Sequence, residues 1–295
     1  MIGGRQRVAH GFGPGLPAGG ARRHKRRMKI AVVAPSCTLK PEAAELVSAL
    51  AAAREGCELA IHPQCFLSDG HFAGSDAERL GALREVMEDG QVDAVWFARG
   101  GYGSNRIAEA ACADLSIAAM RKTYIGYSDA GFLLAGLHKA GCEVAHGPMP
   151  QDILRDGGEA AVARALDWLL TRDEGAVEPS LSYPAQAYNL TVLSSLLGTA
   201  LEPDLKGYEL LIEEVSEHHY RIDRAMFHLT GSANVRGVVE LRAGDMSDIP
   251  ENDPVWGSDE EAIVRDWCAR AGIYYGGRAV IGHDSGNRVV PFGRV

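Results

Sequence analysis

From Met28 onward the chain alternates short apolar runs with amphipathic ones, and this alternation narrows the fold more than any other feature. MKIAVVAP, CELAIHP, VDAVWFA, KTYIGYSD and CEVAHGP have strand length, and helical periods separate them. Strands interleaved with helices wind into a largely parallel sheet covered on both faces, an α/β fold. PEAAELVSALAAAREG begins at Pro41, where the missing amide costs a helix nothing, and stops at Gly56. SDAERLGALREVMEDG takes Ser75 as its N-cap. VDAVWFA is apolar throughout, as a strand covered on both faces must be. DAGFLLAGLHKAG and GEAAVARALDWLLTRD supply further helices.

A chain of 295 residues exceeds what one ordinary core needs, so two units are expected. DEGAVEPSLSYPAQ is polar, turn-rich and aperiodic, which makes residues 172–187 a linker between an N-terminal domain over 28–171 and a C-terminal one over 188–295. The second unit reads as a helix at NLTVLSSLLGT, a strand at YELLIEEV, a helix at YRIDRAMFHLTGS and a strand at VRGVVEL. A helix around Asp259 to Ala271 follows, then short strands near AVIGH and NRVVPFG. No repeat with a period of 20 to 50 residues is visible.

Charge excludes some functions. The formal net charge is −9, but residues 1–27 hold Arg5, Arg7, Arg22, Arg23, Lys25, Arg26 and Arg27 and no acid, leaving the body at −16. An acidic body has no footprint for nucleic acid. No run approaches the roughly 18 apolar residues of a membrane span. The leader lacks the apolar core of an export signal and is too rich in Gly and Pro for an amphipathic transit helix, so it reads as disordered or as lying upstream of a true start at Met28. Cys37, Cys57, Cys65, Cys112, Cys142 and Cys268 form no CxxC pair, so reduced thiols in a cytoplasmic protein, with neither metal nor disulfide framework, are expected.

Three strand ends carry chemistry. FARGGYGSNR has glycines at 100, 101 and 103, which suit a nest of amides for an anion or a tight turn capped by Ser104. It lacks both the GxGxxG spacing and the Walker lysine. In IGYSDAG, Ser128 stands between strand and helix, either as an N-cap or as an exposed nucleophile whose next amide helps form an oxyanion hole. Ala130 occupies the place of the second glycine in G-x-S-x-G. In VIGHDSG, His283 is bounded by glycines and available as a base. A carboxylate to orient it is sought in LLIEEVSEHHYR, where Glu213 ends the apolar run and Glu214 and Glu217 read as solvated.

The blocks RGGYGSNR, GYSD, HGPM at His146–Met149, NLTVLSSLLGT, LIEEVSEHHYRIDR and GHDSGNRVVPFG follow one another from Met28 to the C-terminus. Together they resemble the LD-carboxypeptidases, the serine peptidases of family S66, also called murein tetrapeptide carboxypeptidases. The resemblance implies an N-terminal, mostly parallel-sheet α/β domain, a smaller C-terminal mixed α/β domain, and an active site between them. It carries the nucleophile onto Ser128, the glutamate onto Glu213 and the base onto His283, with an oxyanion hole from the amides of Asp129 and of Gly100 or Gly101. The implied reaction removes the terminal D-Ala from cytoplasmic murein tetrapeptide, in a homodimer that needs no cofactor or metal.

An exopeptidase must also hold a free carboxylate, for which Arg99 is the first choice, with Arg221 and Arg224 behind it. Tyr102 and Asn189 are the other expected substrate contacts. Two departures stand out: Ala187 and Tyr188 replace the paired glycines usual before Asn189, and the chain ends soon after VVPFG, which implies a missing edge strand. A microcin C immunity-type hydrolase, with Tyr188 or Trp256 stacked on a base, is the alternative within the class. A non-catalytic small-molecule binding module is the alternative outside it.

Overall fold

The computed structural model of the protein describes residue 1 and residues 27–293, so the expectation for the basic leader falls outside it. The first unit runs β1 (Met28–Val33), α1 (Pro41–Ala52), β2 (Cys57–Ile61), α2 (Asp76–Glu88), β3 (Ala94–Phe97), α3 (Asn105–Cys112), α4 (Ile117–Met120), β4 (Thr123–Gly126), α5 (Gly131–Lys139), β5 (Glu143–His146) and α6 (Gly158–Thr171). The second runs β6 (Ala185–Asn189), α7 (Leu190–Leu196), β7 (Glu209–Val215), α8 (His219–Gly231), β8 (Glu240–Ser247), α9 (Glu260–Ala271) and β9 (Tyr275–Arg278), and a last strand, β10 (Val290–Pro291), follows it.

Strands β1 to β5 pair in parallel in the order β5-β4-β3-β1-β2. Alternation sorts their side chains: Ile30 and Val32 join a core cluster with α1 and α6, while Ala31 and Val33 face α2 and the cluster that includes α5. Ser75 caps α2 in a reciprocal box with Glu78. Helix α5 is buried from Gly131 to Leu137 because it lies between the first sheet and α7, and one apolar cluster continues through it into the second unit. There β6-β7-β8-β9 form a sheet that is parallel throughout, backed by α8 and α9.

Four features differ from the sequence reading, each for a physical reason. The strand expected at VRGVVEL begins only at Glu240, after a single tight turn at Val235–Gly237. It continues through Arg242, whose buried guanidinium is neutralised by Glu178 at 2.7 Å and Glu209 at 2.8 Å. Because Glu178 belongs to the polar segment between the units, that segment is pinned to the second sheet, and its last three residues already belong to β6. At AVIGH there is no strand; the sheet is completed by YGGR ahead of it, and AVIGH makes only scattered bonds to β8, such as Asp245 N to Ile281 O at 2.7 Å. Finally, β10 does not finish the second unit. It crosses back and pairs antiparallel with β5, Val290 opposite His146, as the outermost strand of the first sheet.

Candidate active site

Parallel sheets present their loops at the carboxyl ends of the strands, and three of those ends converge here. After β4 the chain turns at Ser128 with φ = +57°, a left-handed conformation that costs a non-glycine residue roughly 1–2 kcal/mol. Neighbouring bonds hold the turn. The Asp129 carboxylate accepts from the Ser36 hydroxyl and from the Ser104 amide at 2.8 Å, and the Asp129 carbonyl accepts from the Ser104 hydroxyl. Ser104 stands at the N-cap position of α3 but its hydroxyl makes no capping bond, and Ser128 occupies no cap position. Ala130, fully buried, fits where a second glycine was expected. Of residues 126–130 only Ser128 is not buried.

The Ser128 hydroxyl lies 3.1 Å from His283 Nε2, and His283 Nδ1 lies 2.6 Å from Glu213 Oε2. Glu213 ends the apolar part of β7, in register with Asn189 of β6. There Ile212 pairs with Ala243 but Glu214 with Met246, so β8 carries an extra residue beside Glu213. Glu214, expected in solvent, is buried too. Its carboxylate accepts from Asn189 Nδ2, the Thr191 amide and hydroxyl, and the Val215 amide. Burial lifts its pKa, the Glu213 charge adds to the effect, and the hydrogen bonds only partly offset them. At His283 burial works against the imidazolium, but the Glu213 charge and hydrogen bond outweigh it and the pKa rises.

The loop carrying His283 is held from the first unit. Arg155 donates to the His283 carbonyl, and Arg164 donates to those of Ser285 and Asn287. Tyr127 fixes the ring from the side: its centroid is 4.8 Å from that of His283, and its hydroxyl donates to Asp152 at 2.9 Å. Sequence reasoning missed Tyr127, Arg155 and Arg164.

The glycine loop approaches from β3. A methyl group added to Gly100 would sit 2.8 Å from Ser128 Oγ and 3.5 Å from the Asp129 amide nitrogen, so only glycine lets this backbone near the hydroxyl. Gly101, at φ +112°, lies against Cys37, whose sulfur would be 2.5 Å from such a methyl. A cleft of about 440 Å³ opens in front of Ser128, with Gly101, Tyr102, Asn189, Thr191 and Glu217 in its walls.

The remaining expected contacts divide. Tyr102 lines the cleft and is half exposed. Asn189 lines it as well, but its side chain is engaged within the protein, capping α7 through Val192 N and donating to Glu214. Arg99 donates to the Thr38 carbonyl at 3.2 Å and does not line the cleft. Arg221 and Arg224 line an adjoining cavity on α7 and α8. Tyr188 cannot stack on a ligand: it is buried, with its hydroxyl on Gln186 and its ring against Phe292. Trp256 is stacked on His219, away from the cleft walls. Among the described residues no group of three or more His, Cys, Asp or Glu side chains is arranged to hold a metal ion, the six cysteines are unpaired, and no helix is long and apolar enough to cross a membrane.

Known proteins resemble this chain in sequence and in fold. The LD-carboxypeptidase N-terminal domain matches residues 30–147 and the LD-carboxypeptidase C-terminal domain residues 187–295. A probable murein peptide carboxypeptidase of Bacillus subtilis is 30% identical over 90% of this chain and 86% of its own length. The murein tetrapeptide carboxypeptidase of Pseudomonas aeruginosa is 27% identical over 76% of this chain and 78% of its own. In fold, the muramoyltetrapeptide carboxypeptidase of Oxalobacter formigenes superposes with a TM-score of 0.76 at 24% identity, covering 89% of this chain and 93% of that one. The microcin C7 self immunity protein MccF, in complex with aspartyl sulfamoyl adenosine, reaches 0.74 at 16% identity, over 91% and 92% of the two chains. With both halves matched and a relative at 30% identity along nine-tenths of its length, the chain belongs to the LD-carboxypeptidase family of serine peptidases, S66.

Proposed function

We propose that the protein removes the terminal D-Ala from murein tetrapeptide in the cytoplasm, with Ser128 as nucleophile, His283 as base and Glu213 as its orienting carboxylate. The observation that carries this reading is the unbroken hydrogen-bond chain from Ser128, in the wall of an open cleft, through His283 to a buried Glu213. In the reaction His283 Nε2 takes the Ser128 proton as Oγ attacks the carbonyl between diaminopimelate and D-Ala. The tetrahedral oxyanion is held by the amide of Asp129 and an amide of Gly100 or Gly101, each donor contributing on the order of 3 kcal/mol. Collapse breaks the C–N bond, and His283 returns the proton to the departing D-Ala amine. A water molecule, deprotonated by the same imidazole, then releases the acyl group and restores Ser128. Glu213 holds the imidazole in the tautomer with Nδ1–H and stabilises the imidazolium that forms twice per turnover.

The test is incubation of the protein, beside Ser128→Ala, with murein tetrapeptide, following D-Ala and tripeptide by mass spectrometry. Release by the wild type alone supports the reading. If neither releases D-Ala while a serine-directed phosphonate still labels Ser128, the hydrolase stands and its amide is a different one; if labelling fails as well, Ser128 is no nucleophile.

A further inference from the structure

An exopeptidase that releases a single amino acid leaves the whole remaining substrate on the acyl side, and that side needs its own surface. The cleft continues in one direction. Thr191, Ser195 and Glu217 line both the Ser128 cleft and a second cavity of about 360 Å³ formed by α7 and α8. The first cavity is acidic, bordered by Glu109, Glu214 and Glu217, whereas the second brings Arg221, Arg224 and His228 together. On a body of net charge −16 this is a basic island.

Its cations are not equally occupied. Arg221 is 3.5 Å from Glu217, and its guanidinium lies over the Tyr220 ring at 5.9 Å. Arg224 lies over the same ring at 5.6 Å, and among the described residues no carboxylate pairs with it. His228 accepts from or donates to the Ser194 hydroxyl at 2.9 Å, closing the far side. Tyr220 thus steadies two guanidiniums whose residues border a cavity sharing Thr191, Ser195 and Glu217 with the active-site cleft, an arrangement suited to a carboxylate.

We propose that this cavity is a carboxylate subsite for the acyl side of the stem peptide, with Arg224 as the principal donor and Arg221 as the second. The proposal rests on the function proposed above. A stem peptide offers two such carboxylates, the second carboxyl of diaminopimelate and the α-carboxyl of the isoglutamyl unit. Amidation of either removes its charge and one acceptor oxygen.

The experiment compares kcat/KM for three tetrapeptides: both carboxyls free, the diaminopimelate amidated, and the isoglutamyl unit amidated. The wild type is expected to favour the free acid by about tenfold over one of the two amides, which identifies the carboxylate that is bound. Arg224→Ala is expected to bring that preference below about twofold and Arg224→Lys to keep part of it. Arg221→Gln should erode it less. A purely structural arginine would lower all three substrates alike, so loss of activity without loss of preference overturns the proposal. Equal kcat/KM on all three by the wild type also overturns it, leaving the peptidase reading intact. Release of D-Ala from none of them overturns both.

Discussion

His146 and His283 flank the same tyrosine, at centroid distances of 5.4 and 4.8 Å from the Tyr127 ring, yet their surroundings push their pKa values in opposite directions. His146 ends β5 in complete burial, with no side-chain hydrogen bond at either ring nitrogen, and burial drives its pKa down to about 4 against weaker opposing contributions from Glu213 and the Arg288 backbone. His283 ends no strand. It is bonded at both nitrogens, and Glu213 carries its pKa upward against burial. The difference teaches that burial alone makes a histidine inert, whereas burial beside a carboxylate makes it a base with a proton to exchange.

Breaking the pair at its active member has the largest effect. His283→Ala should lower kcat/KM by about 10⁴, and the double variant with Ser128→Ala should lose little more, because residues that act as one unit are not additive. Steady-state kinetics of the three variants checks this, and losses that multiply would separate the two residues. Glu213→Gln makes His283 resemble His146. It should cost about 10³ in kcat/KM and move the acidic limb of the pH profile downward, since the carboxylate that raises the imidazole pKa is gone.

His146 sharpens the comparison through stability. Its folded pKa near 4 lies below the ordinary 6.5. The unfolded chain therefore binds its proton first as pH falls, and stability drops by about 3 kcal/mol between 6.5 and 4. The sign reverses at His283: its contribution is complete below 6.5 and vanishes as pH rises through its elevated folded pKa. Urea midpoints at pH 7 and 4.5 should show a smaller acid loss in His146→Asn than in the wild type. The smallest effect is expected at Arg164, which supports the His283 loop through the carbonyls of Ser285 and Asn287. Arg164→Ala should lower kcat about tenfold by loosening the base, with KM little changed. A change confined to KM would show that the loop does not depend on it.

What the sequence made legible were the ends of apolar runs, two of them in strands and the third, before His283, in a run that forms no strand. Ser128, Glu213 and His283 each close an apolar run, and a catalytic residue type at such a point is visible without coordinates. Glu214 was misjudged because alternation allows one inward acid per pair, and the bonds that make a second tolerable come from Asn189 and Thr191. Arg242 hid most of β8, since a charged residue reads as surface until Glu178 and Glu209 are brought beside it. The hold of Arg155 and Arg164 on the His283 loop left no trace at all: the groups they bond there are backbone carbonyls more than a hundred residues away, and every residue has one.

The return of β10 to the first sheet has a consequence for synthesis. Strand β5 is finished at His146, but its outer edge stays unpaired until Val290 leaves the ribosome, some 140 residues later. For that interval the emerging polypeptide displays the row of open amides and carbonyls that strands of other molecules can zip onto. The segment that closes this edge follows His283 by only seven residues. Protection from misassembly and delivery of the base are thus completed within one short stretch of the chain.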